Sequence, residues 1–121
     1  MSKNHIREFI ISYDIADPKR LQRIHRMLKK LALPLQYSVF YARMSEHQRD
    51  KLSNLLERKI NPREDDIRIY PLPPKYNIQY LGQEPFIQGL HLSGQGGEWH
   101  SVEVQMVLDN EEKRQRKAKS D

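Results

Sequence analysis

The sequence predicts an α+β sandwich in which two helices cover one face of a single sheet. Three observations predict it. An apolar run, Phe9-Ile10-Ile11, closes on the polar Ser12-Tyr13-Asp14. Two stretches with helical spacing follow, opened by Asp17-Pro18 and by Ser45. Short alternating strand patterns then recur from Ile67 onward.

Arg7 to Asp14 has the β-rich character of a buried central strand. Asp17 then offers a carboxylate to free backbone N–H groups, and Pro18 has its φ preset for the first helical position. Leu21, Ile24, Leu28 and Leu31 recur at spacings of three and four, the apolar stripe of a helix, with Lys19, Arg23, Arg26 and Lys30 on the opposite side. Pro34 ends that helix. Leu35 to Ala42 reads as one second strand, with Tyr37, Val39 and Tyr41 alternating against Ser38 and Phe40.

Ser45 with Gln48 matches a capping box, and Leu52, Leu55, Leu56 and Ile60 line a second helix stopped at Asn61-Pro62. After the acidic turn Glu64-Asp65-Asp66, a third strand spans Ile67 to Leu72. Tyr76 to Leu81 is expected as a fourth and Phe86 to Leu92 as a short fifth. The order expected by about Leu81 is strand, helix, strand, strand, helix, strand: a ferredoxin-like βαββαβ sandwich with an extra C-terminal strand. Residues 1–92 form this domain. Residues 93–121 are expected to be a glycine-rich linker, Ser93 to Gly97, a short strand or helix over Val102 to Leu108, and a mobile charged end from Glu111 to Asp121. Tyr37, Val39 or Phe40 on an uncovered sheet face would favour a homodimer.

At 121 residues, with 37% hydrophobic and 31% charged residues, the chain suits one domain with a heavily charged surface. Its net charge is +5, and the excess is concentrated: no acidic residue lies between Pro18 and Ser45. Such a region favours polyanionic partners. The absence of cysteine excludes disulfides, thiol nucleophiles and thiolate zinc sites. The polar opening residues do not resemble a secretory signal and no apolar run reaches membrane-spanning length, so a cytoplasmic protein without a membrane partner is expected. His5, His25, His47, His91 and His100 make no metal-ligand spacing, and the glycine-rich segment lacks the lysine and hydroxyl of a P-loop.

Ile11-Ser12-Tyr13-Asp14-Ile15-Ala16-Asp17 resembles the Tyr-Asp-Ile signature of the CRISPR-associated Cas2 family. Leu35-Gln36-Tyr37-Ser38-Val39-Phe40 resembles that family's second strand, and Asp66-Ile67-Arg68-Ile69-Tyr70-Pro71-Leu72 its third. The matches occur in order and cover about residues 7 to 72. The resemblance implies a homodimer with sheets packed face to face, a late strand of each subunit often joining its partner's sheet. It implies a role in CRISPR adaptation beside the integrase subunit, which the dimer bridges while binding a protospacer DNA duplex. For some members it also implies metal-dependent endonuclease activity on RNA or double-stranded DNA. Asp14 matches the metal-binding aspartate, Tyr13 its neighbour, and Phe40 an aromatic near the same cleft. Some members carry an arginine just before the second strand, where this chain has Leu33-Pro34-Leu35, which implies weaker binding or cleavage here.

The chemistry that follows is that of a hard cation. Mg²⁺ takes oxygen ligands and retains several waters, so one aspartate holds it poorly, and two-fold symmetry would supply a second Asp14. Lys19, Arg20, Arg23, Arg26 and Lys30 would hold phosphates, with affinity falling steeply with salt. The bland alternatives are a turn-forming Asp14, a strand tyrosine at Tyr13, core packing for Phe40, and a solvated helix face. Asp17 suits the helix cap better than a second ligand. Two other functions share the topology: an RNA-binding module, whose paired strand aromatics are missing here, and a toxin-type ribonuclease.

Overall fold

The computed structural model of the chain describes residues 5–77, 79, 81 and 101–120. Strand β1 spans Ile6–Asp14, helix α1 Pro18–Leu31, strand β2 Leu33–Gln36 and strand β3 Val39–Ser45. Helix α2 spans Glu46–Glu57, strand β4 Asp66–Pro71 and helix α3 Ser101–Ser120. The four strands form one antiparallel sheet in the order β2-β3-β1-β4, with β1 paired on both sides. This is the ferredoxin-like sandwich.

Its strands are not all the expected ones. The run Leu35 to Ala42 is not a single strand, because the chain reverses at Tyr37-Ser38 and returns as β3. Ser38 takes φ 64°, a left-handed conformation that a serine tolerates less readily than glycine. Its carbonyl accepts a hydrogen bond from the Tyr13 amide at 3.0 Å, which ties the turn to the end of β1. This hairpin completes the βαββαβ order by Pro71, without the fourth strand expected over 76–81. Tyr76, Asn77, Gln79 and Leu81 are not in a strand. The expected strand over 86–92 and the glycine-rich linker lie outside the described residues.

Both predicted helix starts form. Asp17 caps α1 by accepting from the Arg20 amide at 2.9 Å, with Pro18 in the first turn. Ser45 and Gln48 exchange the two bonds of a capping box at the start of α2. The apolar stripe of α1 buries Ile24, Met27, Leu28 and Leu31. Each fully buried side chain of this kind stabilises the fold by about 1.5–3 kcal/mol.

Alternation along β1 sorts its side chains. Phe9, Ile11 and Tyr13 face the helices and join Phe40, Ala42 and Met44 of β3 in the main core. Ile10 faces the other way, with Leu33, Leu35, Val39 and Tyr41, and is partly covered by Leu72 and Tyr76. There Glu8 accepts hydrogen bonds from the Tyr41 and Tyr76 hydroxyls. Burial, reinforced by that carboxylate, holds the Tyr41 hydroxyl far above its ordinary pKa. Phe40 is therefore on the covered face, not the open one, and of the three residues expected there only Val39 lies on it. Tyr37 stands 90% exposed at the turn.

The charged end also departs from expectation. The helix allowed over Val102 to Leu108 forms as part of α3, which continues through the charged residues from Glu111 that were expected to be mobile, and its Val104 and Leu108 are fully buried against the helix layer. On its α2 side Lys51 meets Asp109 and Glu112, both at 2.8 Å.

Candidate functional site

Asp14 ends β1, exposed, on the sheet face away from the helices. Antiparallel pairing sets it opposite Asp66, the first residue of β4, so two exposed carboxylates are neighbours at one end of the open face. The next pair on that face, Ser12 and Arg68, lies two residues along the strands, and Arg68 Nε donates to Asp66 at 3.1 Å. Asp66 was legible only as the last residue of the acidic turn before a strand; the register between β1 and β4 is what reveals it as the neighbour of Asp14. Among the described residues no group of three or more His, Cys, Asp or Glu side chains could share a metal ion. A single chain thus offers Asp14 as an oxygen donor of the type Mg²⁺ prefers, but not a complete ligand set.

Tyr13 and Phe40 are not beside Asp14. Tyr13 points to the opposite face of the sheet and is 5% exposed, while Phe40 is fully buried. Their rings stack at 6.1 Å, the His25 ring meets Phe40 edge-on at 5.4 Å, and the Tyr13 hydroxyl lies 2.9 Å from His25 Nδ1. Burial raises the Tyr13 pKa and keeps the phenol neutral. These aromatics are core packing, and the expected cleft containing Asp14, Tyr13 and Phe40 does not form within one chain.

The basic side of α1 divides. Lys19, Arg23, Arg26 and Lys30 are exposed at spacings of four, three and four, one stripe about 16 Å long at 1.5 Å per residue. Arg20 is not part of it. Its Nε donates to Asp65 at 2.8 Å and its Nη2 to Glu64 at 3.0 Å. Asp65, buried, also accepts from the Ala16 and Asn61 amides at 3.0 and 2.8 Å. The guanidinium and these amides hold the Asp65 carboxyl far below its ordinary range, and Asp65 in turn raises the Arg20 pKa. Arg20 locks the start of α1 to the turn before β4, its charge met by two carboxylates.

The stripe continues onto the turn after α2 and onto α3. Lys30, Lys59 and Arg114 converge on Glu111 of α3, and Arg23 and Arg26 line the same small cavity. Nothing in the sequence joins Lys59 or Arg114 to α1; only the docking of α3 does.

The fold and strand-end carboxylate define a small ferredoxin-like α+β domain with one helix-covered sheet face and one open face. The family model described as CRISPR associated protein Cas2 matches residues 8–79, and the chain belongs to that family. It is 37% identical over 99 residues to the CRISPR-associated endoribonuclease Cas2 1 of Nitrosomonas europaea, covering 82% of this chain and 94% of that one. The crystal structure of a hypothetical protein, TT1823, from Thermus thermophilus shares the fold with a TM-score of 0.62 and 28% identity. That match covers 68% of this chain and 98% of the other. A crystal structure of a Cas2 protein also gives 0.62, at 25% identity, covering 73% and 100% of the respective chains. Among the described residues no helix is long and apolar enough to cross a membrane.

Proposed function

We propose that the chain acts in CRISPR adaptation as a basic homodimer that bridges integrase subunits, binds nucleic acid and cleaves phosphodiester bonds at Asp14. The observation that carries this reading is the exposed Asp14 at the end of β1, on the open sheet face of a Cas2 fold. An isologous dimer across that face would bring the same strand end from each copy towards the axis. Asp14 and its symmetric copy would then hold Mg²⁺, which when bound supplies positive charge to a phosphoryl oxygen and lowers the pKa of water. Arg68 lies two residues along β4 on the same face and adds a cation beside the two acids. Lys19, Arg23, Arg26 and Lys30 would carry backbone phosphates with little sequence preference. Hydrolysis is supported by relatives named as endoribonucleases, such as that of Nitrosomonas europaea, which makes RNA the first substrate to test and double-stranded DNA the second.

Asp14 is exposed and carries no core packing, so Asp14→Asn should fold as the parent does. Cleavage of RNA and of duplex DNA should be supported by Mg²⁺, abolished by a chelator, and reduced at least about a hundredfold in the variant, the scale of losing one main source of transition-state charge stabilisation. Parent-like cleavage by Asp14→Asn would remove the metal assignment. Spacer acquisition measured with the same variant separates the two roles, since normal acquisition without cleavage would leave the dimer a platform.

A further inference from the structure

We propose that Arg23, Arg26 and Lys30 of α1, Lys59 in the turn after α2 and Arg114 of α3 form a seat for a nucleic-acid backbone phosphate, organised around the buried carboxylate of Glu111. The inference deepens the reading of α1 as a phosphate-bearing face and rests on it. It adds a place where the backbone docks, and residues contributed by α3, which lies wholly beyond the family match at residues 8–79.

Geometry and charge carry the inference. Glu111 is 6% exposed. Lys59 Nζ approaches its Oε2 at 3.4 Å, while Arg114 Nη1 and Lys30 Nζ approach Oε1 at 3.5 and 3.8 Å. Charge-assisted hydrogen bonds are shorter, about 2.7–2.9 Å. Glu111 therefore gathers these cations by attraction without saturating their donors. Arg23 and Arg26 line the same cavity, and among the described residues neither has an acid within ion-pairing distance. Five cations face one carboxylate.

The opposite seam of α3 supplies a contrast within the same helix. There one cation, Lys51, sits between Asp109 and Glu112 at 2.8 Å each, and its pKa is raised by both carboxylates. On that seam the carboxylates outnumber the cation. The α1 seam is left with four positive charges in excess around a cavity of about 110 Å³. That volume is several times the roughly 30 Å³ share of one water in the liquid, so a tetrahedral oxyanion group has room. Guanidinium forks match phosphate oxygens in pairs, and the lysines add point charges. The seat lies at the end of the stripe begun by Lys19, in line with a strand that tracks along α1.

The test uses the full chain and a 30-base-pair duplex of arbitrary sequence, followed by anisotropy over a range of salt. Lys59→Gln and Arg114→Gln should each lower the slope of log K against log salt by a measurable part of the roughly 0.9 that one duplex phosphate contact contributes. Lys51→Gln, on the seam where carboxylates outnumber the cation, should leave the slope unchanged. If Arg114→Gln fails to fold by circular dichroism, Lys59→Gln decides, because Glu111 keeps its other cations. Parent-like slopes for the seat variants, with a lowered slope for Lys19→Ala, would overturn the seat and leave the α1 face standing. A parent whose binding ignored salt would overturn both.

Discussion

Asp65 shows how a residue can be decisive without serving the site. Its carboxylate gathers the Arg20 side chain and the amides of Ala16 and Asn61, joining the start of α1 to the turn before β4. Its folded pKa is depressed, so the stabilisation is fully present above the ordinary value of 3.8 and is lost as pH falls from there through the folded value. Asp65→Asn should lower the melting temperature by several degrees at pH 7. The gap between variant and parent should narrow steadily below pH 4, as a thermal melt series would show; a gap constant down to pH 2 would refute the assignment. None of this was legible locally. The acid-free interval from Pro18 to Ser45 favoured a phosphate-bearing face that included Arg20, yet the carboxylate partner of Arg20 lies 45 residues along the chain. Asp17 was legible because a cap acts within its own turn, and its role is the expected one.

Among the elements, those written in short-range chemistry were readable and those made by packing were not. The Asp17-Pro18 start, the Ser45–Gln48 box and the α1 stripe all appear as the sequence implies. The β2–β3 hairpin was missed because its turn is Tyr37-Ser38, with no glycine, asparagine or proline to mark it, inside an apolar run that continues on both sides. A strand or helix over Val102 to Leu108 was legible, but the length of α3 was not, because its charged residues outnumber its apolar anchors and composition from Glu111 onward resembled a mobile tail. Val104 and Leu108, four apart, are nonetheless buried completely in the core shared by α1 and α2. Leu108→Ala should cost about 2–5 kcal/mol in denaturant unfolding, the range for a truncated core leucine. A loss below about 0.5 kcal/mol, ordinary for an exposed position, would mean that α3 is not docked.

At the scale of the whole molecule the sheet has two unlike faces. One is sealed by three helices. The other carries Asp14, Asp66, Arg68 and Tyr70, with a small apolar patch around Ile10, Val39 and Leu35 that residues 72–76 only partly cover. The family resemblance implied this division of labour, but a sequence contains no second copy, and β4 leaves one edge of the sheet unpaired among the described strands. Tyr70 is the informative probe: 46% exposed, opposite Ile10 on β4, and therefore on the open face without being needed by the core. Tyr70→Glu should keep the far-ultraviolet dichroism of the parent. If two open faces meet, a carboxylate placed between them has no partner and loses its hydration, a penalty large enough to separate the copies. Sedimentation equilibrium should then give twice the chain mass for the parent and close to one chain for the variant. A parent that sediments as a single chain would leave Asp14 without its symmetric counterpart, and the shared metal site would have no means of forming.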